Sequence, residues 1–290
     1  MGKALLVFGH GYTANFLSKK LLPLGWKVYG TVRSGDSATK TTEALRRTGV
    51  VPVPWTADAV QHALTQVSNV LVCTAPGQSG DPVLLDFSQE LAAAPDLAWL
   101  GYLSTTAVYG DHKGGWVDED TKLSPTTKRG KLRVKAEQSW QKLGEKQQLP
   151  LHIFRLAGIY GPGRGPFAKV QSGSARRIIK ENQVFSRIHV EDIVRALAAS
   201  IAKPNPGAVY NLCDNEAAPP EDVIEMAAKL LNLPVPESVA FEAADLSPMA
   251  RSFYAESKRV SNSRYLSDLN VKLKYPTYRE GLKALLARKD

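Results

Sequence analysis

Residues Ala4 to Phe8 form a short apolar run, and Gly9-His10-Gly11-Tyr12-Thr13-Ala14 follows it directly. The turn reads G-x-G-x-x-A, and the next segment carries Phe16, Leu17, Leu21 and Leu22 at helical spacing. Strand, glycine turn and helix in that order are the layout of a unit that binds a dinucleotide, and no other stretch constrains the chain as much. Gly9 permits the tight turn. Gly11 lets backbone N–H groups approach a pyrophosphate at the helix N-terminus, where the aligned peptide dipoles favour an anion. Ala14 is small enough for the helix to pack closely on the strand. His10, Tyr12 and Thr13 complete the expected cradle, and Thr74, Ala75 and Pro76, at the end of a later strand, are expected to adjoin the cofactor.

Apolar runs and helical patterns then alternate. Strands are expected over 26–32, 50–53, 70–74, 97–105 and 151–155, and helices over 37–47, 58–67, 83–94 and 129–148. In the last of these helices Leu132, Ala136, Trp140 and Leu143 mark the stripe to be buried. Such alternation predicts an α/β fold, a Rossmann-type doubly wound parallel sheet with a smaller C-terminal substrate lobe. The glycines and prolines of 158–166 exclude regular structure there. Beyond them 184–188 reads as extended, 190–201 as a helix, 208–213 as a last strand and 221–231 as a helix before a mixed tail. Residues 1–155 and about 184–213 are expected to form the dinucleotide-binding domain, and 156–183 and 214–290 the smaller lobe.

A chain of 290 residues with 43% hydrophobic content can bury a sizeable core. No apolar run is long enough to span a bilayer, and Met1-Gly2-Lys3 leads into a strand rather than a leader, so no membrane association is expected. Cys73 and Cys213 each sit in an apolar stretch, which favours buried thiols in a reducing cytoplasm over a disulfide. The net charge of +9 suits phosphorylated ligands. The basic residues are dispersed and carry no nucleic-acid-binding motif, so nucleic acid is not an expected partner. The five histidines are scattered without ligand spacing, and no metal site is expected.

The choice of cofactor turns on the end of the second strand. An acid there would bind the ribose 2′-hydroxyl of NAD, whereas a basic residue would accept the 2′-phosphate of NADP. This strand ends Tyr29-Gly30-Thr31-Val32-Arg33-Ser34, with Asp36 further on. Arg33 and Ser34 therefore favour NADP over NAD.

With these residues in place, the chain resembles the extended short-chain dehydrogenase/reductases, the NAD(P)-dependent epimerase/dehydratase family, in an atypical branch. Leu103-Ser-Thr-Thr-Ala-Val-Tyr-Gly110 is similar to the family's Ser-Ser-x-x-Val-Tyr-Gly segment. Arg155-Leu-Ala-Gly-Ile-Tyr-Gly-Pro-Gly163 is similar to its loop after strand six, and Ile188-His-Val-Glu-Asp-Ile193 to its His-Val-Asp-Asp element. The resemblance implies hydride transfer at a hydroxyl or carbonyl carbon of a sugar-like or nucleotide-linked substrate. It places Thr105 where the family has its catalytic Ser/Thr, with Ser104 and Thr106 as neighbours able to take the role.

The family's general acid/base is a Tyr followed four residues later by a Lys. Aligning Ala136-Glu137 with the family's Ala-Glu puts Arg129 and Arg133 at those two positions, and no Tyr occurs between Tyr109 and Tyr160. Arginine stays protonated and cannot exchange a proton as a phenol does. Arg133 remains able to hold a ribose or phosphate, and Arg129 to bind an anionic group of the substrate. Tyr109, His112, His189, Tyr160, Asp118, Glu119 and Asp120 are the other candidates for proton transfer. Arg155, Arg164, Arg176, Arg177, Lys180 and Arg187, with the 249–254 and 258–259 segments, are expected around the pocket mouth and suit a small anionic substrate. Two functions stay open: an NADP-dependent oxidoreductase or epimerase-like enzyme, and a non-catalytic NADP(H) sensor. Monomer and homodimer are equally compatible with the heavily charged 129–148 helix.

Overall fold

A computed structural model describes residues 2–288. β1 (Ala4–Phe8), α1 (Tyr12–Leu21), β2 (Lys27–Val32), α2 (Ala38–Arg47), β3 (Val51–Pro54), α3 (Ala57–Leu64), β4 (Asn69–Val72), α4 (Pro82–Ala92) and β5 (Trp99–Thr105) alternate strand with helix. Next come β6 (Trp116–Val117), α5 (Lys128–Gln147), β7 (Leu151–Leu156), β8 (Gly158–Tyr160), α6 (Phe167–Gln171), β9 (Arg177–Ile179) and β10 (Arg187–His189). The remainder is α7 (Val190–Ala202), β11 (Val209–Leu212), α8 (Pro220–Leu230), β12 (Ser238–Ala240), α9 (Pro248–Phe253), β13 (Arg259–Val260), α10 (Ser263–Asp268) and α11 (Tyr278–Ala287).

Seven parallel strands form the central sheet in the order β11-β7-β5-β4-β1-β2-β3. The order reverses between β1 and β4, which pair through Leu5↔Asn69 to Phe8↔Val72, and ligands bind beyond the strand ends at such a switch point. Strands covered on both faces read as continuous apolar runs, and Leu5 to Phe8 and Val70 to Val72 are accordingly 0% exposed. Helix starts are written locally. Asp81 caps α4 by accepting from the Val83 and Leu84 N–H groups, with Pro82 at the first helical position. Thr277 and Glu280 make a capping box at α11.

The chain packs as two compact units. The first holds Met1–Ser104, Leu132–Arg155 and Val194–Tyr210, and the second Thr105–Lys131, Leu156–Ile193 and Asn211–Asp290. In the first, Leu6, Phe8, Val72, Phe87, Tyr102 and Trp140 share one core cluster. The opposite face buries Trp99, whose indole N–H donates to Ser200 Oγ (2.9 Å) beside His152 and Phe154. In the second unit Tyr160, Val223, Tyr278 and Leu282 form a cluster. Three short parallel pairs, β8 with β10, β9 with β12 and β6 with β13, complete it.

Three expectations need correction. The glycine- and proline-rich stretch is not wholly irregular, because Gly158–Tyr160 pairs in parallel with Arg187–His189. That partner strand also starts later than the expected 184–188 extended run. The strand expected as the last, 208–213, is β11, and β12 and β13 follow it. Each of these additional strands has only two or three residues, too few to show a period in the sequence.

One buried charge pair ties the first unit together. Glu137 of α5 is 1% exposed and Arg155 of β7 is 4% exposed. Arg155 donates Nη2 to Glu137 Oε2 at 2.9 Å and Nε to both carboxylate oxygens, and Ser104 Oγ of β5 donates to Oε1. Removing one member of such a pair strands a charge away from water, at a cost of about 3–5 kcal/mol. Glu137→Ala should lower the urea-unfolding free energy by about that amount, while Ser104→Ala, which leaves the pair intact, should cost only about 1 kcal/mol.

Candidate functional site

In the first unit, the β1–α1 turn is built to receive an anion. Gly9 has φ +80°, and a Cβ there would stand 2.9 Å from Thr74 Cγ2. Its N–H donates to Thr31 Oγ1 of β2 at 3.2 Å. A Cβ added at Gly11 would meet nothing within 4 Å. Gly11 is also the N-cap of α1, which has no side-chain cap and no acid in its first turn. The positive end of the α1 dipole therefore has neither to offset it. Thr74 Oγ1 is buried with no partner among the described residues. The Gly11 N–H donates to the Gly9 carbonyl at 2.8 Å and closes the turn.

The expected cradle side chains divide in two. His10 turns inward, with Nε2 2.7 Å from Ser18 Oγ, and burial lowers its pKa, so it offers the cofactor only its backbone. Thr13 is buried and Tyr12 packs on Phe16 with ring centroids 5.1 Å apart. Ala75 is exposed and Pro76 half-buried in the loop after β4.

Arg33 and Ser34 are exposed beyond the end of β2. The Arg33 guanidinium lies 4.6 Å from the Trp55 ring centroid, and Trp55 Nε1 donates to Asp86 Oδ2 at 2.7 Å. Trp55 had no signal of its own in the sequence. Its placement follows from register, since Val32 pairs with Pro54 and the next residues on β2 and β3 are Arg33 and Trp55.

Arg133 stands at the C-terminal ends of β4 and β5. Its Nη1 donates to Tyr102 Oη (2.8 Å), the Leu103 carbonyl (3.0 Å) and the Thr74 carbonyl (3.4 Å). Tyr102 is a partner that the sequence pattern did not single out. Burial raises its pKa, so it stays a neutral phenol. Arg155 is not near a pocket mouth as expected, but buried on Glu137.

In the second unit, Thr105 and Thr106 are half-buried at the start of the Thr106–Tyr109 turn. Thr105 Oγ1 accepts from the Ala107 N–H at 3.3 Å, which leaves its own proton to donate. Ser104, in the first unit, spends its hydroxyl on Glu137. Arg129 is exposed, with its guanidinium 5.1 Å from the Phe253 ring.

The proton-transfer candidates are mostly engaged. Tyr109 Oη donates to Asn211 Oδ1 at 2.7 Å, and Glu119 accepts from the Asn211 N–H at 2.7 Å. His112 meets the Tyr109 carbonyl at 3.1 Å. Asp118 accepts from Thr121 Oγ1 and Asp120 pairs with Arg264. Tyr160 Oη donates to the Thr277 carbonyl at 3.4 Å, and burial raises its pKa. His189 is 0% exposed; its Nδ1 accepts from the Glu191 N–H at 3.1 Å and its ring packs 4.1 Å from that of Tyr275. That geometry is a helix cap, and burial lowers its pKa to about 4. Of the cations expected at a pocket mouth, Arg177 pairs with Glu225 and Arg187 donates to the Phe185 and Ala218 carbonyls. No group of His, Cys, Asp and Glu able to hold a metal occurs among the described residues.

Comparisons with known proteins bear on the family and the fold. A model of the NAD dependent epimerase/dehydratase family matches residues 5–213. The chain is 28% identical to protein YeeZ of Escherichia coli K12, across 94% of this chain and 97% of that one. It is 56% identical to a functionally unknown conserved protein from Silicibacter pomeroyi, whose structure it matches with a TM-score of 0.90 over 99% of both chains. The structure of UDP-glucuronic acid 4-epimerase from Bacillus cereus, in complex with UDP-glucuronic acid and NAD, matches with a TM-score of 0.77 over 98% of both chains. At 20% identity that likeness shows a shared fold.

Burial of three titratable groups makes stability depend on pH in two opposite directions. His152 and His189 are lowered from 6.5 to about 4. Their contribution is complete above pH 6.5 and is lost as the pH falls through about 4, because the unfolded chain takes up the protons first. Asp214 is 3% exposed and raised from 3.8 to about 8 by burial. Its contribution is complete below pH 3.8 and is lost as the pH rises through about 8. Thermal melts should therefore show Tm falling on both the acid and the alkaline side. Asp214→Asn should flatten the alkaline limb and leave the acid limb in place.

Proposed function

The chain belongs to the NAD dependent epimerase/dehydratase family, and on that premise we propose that its first unit binds NADP(H) while its second unit holds a small sugar-like or anionic substrate. The observation that carries the cofactor choice is Arg33 on Trp55. Supporting the reading, the indole lies against a planar guanidinium just past the end of β2, and no acid ends β2. NAD is the less favoured cofactor. Gly9, Gly11 and the open start of α1 would hold the pyrophosphate. Arg133 would offer its remaining N–H groups to the nicotinamide ribose, its charge already steadied by three oxygens.

When bound, the nicotinamide supplies or accepts hydride at a carbon bearing a hydroxyl or carbonyl. Thr105 donates its hydroxyl proton in a hydrogen bond to that oxygen and so orients it, with Thr106 as the neighbouring hydroxyl. Arg129 and Arg133 do not move protons, so the proton comes from water or from a group other than the family's Tyr. The free thiols Cys73 and Cys213 suit a reducing cytoplasm.

A second reading, a non-catalytic NADP(H) sensor, is favoured by one observation: both positions of the family's acid/base pair carry arginine. The decisive experiment is fluorescence titration with NADPH and NADH, followed by turnover of the bound NADPH against hydroxy- and oxo-compounds. NADPH should bind more tightly than NADH. Losing one charge-assisted contact costs about 1.5–3 kcal/mol, so Arg33→Ala should weaken NADPH about 10- to 100-fold and leave NADH nearly unchanged. Equal loss for both cofactors would place Arg33 away from the 2′-phosphate. NADPH binding without turnover of any compound would favour the sensor.

A further inference from the structure

We propose that Arg129 and Phe253 form an oxyanion subsite of the second unit, in which a carboxylate or phosphate of the substrate meets the Arg129 guanidinium on a shelf made by the Phe253 ring. This rests on the substrate role proposed for Thr105.

Arg129 is set apart from the other arginines of its unit. Arg177, Arg264, Arg279 and Arg288 each reach a carboxylate, and Arg187 donates to two carbonyls. Arg129 has neither kind of partner among the described residues. Its guanidinium lies 5.1 Å from the centroid of the Phe253 ring. A ring beneath the guanidinium satisfies one face and leaves the in-plane N–H edge, which is the edge that binds an oxyanion through two parallel hydrogen bonds. Phe253 is itself 46% exposed, an apolar surface with no burial to account for it.

Both halves of the shelf are anchored. Next to Arg129, Gly130 has no room for a side chain, since a Cβ would stand 2.7 Å from the Ala107 carbonyl oxygen. Ala107 is the residue whose N–H donates to Thr105 Oγ1, so the start of α5 is pinned to the turn that carries the reactive hydroxyl. Beyond Phe253, Glu256 accepts from the Thr126 N–H (3.3 Å) and Oγ1 (2.7 Å), three residues before Arg129. Ser247 Oγ caps α9 through the Ala250 N–H at 3.2 Å. The segments that carry the two side chains are thus anchored before any ligand arrives, which reduces the ordering cost of binding. Because Gly130, next to Arg129, packs on the Ala107 carbonyl of the Thr105 turn, the substrate class this subsite would take is a hydroxy or oxo compound that also carries an acidic group.

The test is calorimetric titration of the full chain with oxalate and with inorganic phosphate at low ionic strength, in the presence and absence of NADPH. The wild-type protein should bind at least one of the two anions, and which one it prefers identifies the carboxylate or phosphate source. Arg129→Ala should weaken that binding about 10-fold or more. Phe253→Leu, which keeps an apolar side chain but removes the ring, should weaken it about 3- to 10-fold, and Phe253→Tyr should restore it. Lys142→Ala, which removes one exposed positive charge elsewhere, should leave it unchanged. Failure of the wild-type protein to bind either anion would overturn the proposal, as would full affinity in Arg129→Ala or a Phe253→Tyr variant no better than Phe253→Leu. The arm without NADPH keeps the result separate from the cofactor assignment, which fails only if NADPH itself does not bind.

Discussion

The Glu137 carboxylate is the interaction on which the first unit depends. It sits in α5, away from water, and is acceptable there only because Arg155 of β7 and Ser104 of β5 both donate to it. Three elements are thereby fixed to one point, and the fixing is directional: a slide of α5 by one turn would leave the carboxylate unpaired. Arg133 lies one turn before Glu137 on the same helix, so the pair sets where its guanidinium meets the ends of β4 and β5. Burying such a pair adds little net stability compared with apolar packing. What it secures here is register.

The register argument extends to the opposite side of β1. Thr31 of β2 accepts from the Gly9 N–H, and one step further along the paired strands come Arg33 and Trp55. The glycine turn and the arginine that would read the ribose phosphate are therefore positioned by one strand pairing. A substitution that shifted β2 would disturb both, whereas one at Arg33 itself should disturb only the choice between cofactors.

Much of this was legible in the sequence, for a physical reason. The central sheet announces itself because parallel strands buried on both faces are continuous apolar runs, and the glycine turn because few other residue patterns allow a backbone to approach an anion. The second unit was less legible. β6, β8, β9 and their partners have two or three residues each and exist only because a distant segment pairs with them. Gly158–Tyr160 reads as a breaker until Arg187–His189 lies beside it. The same holds for the site. Arg129 and Arg133 were visible as departures from a pattern, but Tyr102 and Phe253, which hold them, lie 31 and 124 residues away along the chain and carry no local signal. His189 had the most suitable ordinary pKa for proton transfer, yet packing against Tyr160 and Tyr275 turns it into a helix cap.

Replacing a phenol and an amine by two guanidinium groups changes what an active site of this kind can do. A Tyr–Lys pair works because the phenol can lose and regain a proton near neutral pH, and guanidinium groups do not act as general acids or bases in this way. Their chemistry is restricted to fixing anions and stabilising negative charge as it forms. Arg133 spends its Nη1 on internal oxygens and keeps its other N–H groups for the proposed ribose role, while Arg129 stands on an aromatic ring. An enzyme built this way would gain its rate from orientation and electrostatics and draw its proton from solvent. It would suit substrates whose own acidic group can use a fixed positive charge, and it would handle neutral sugars poorly. In the role proposed for Arg129, the departure from the family's pattern would narrow the substrate more than the features it shares.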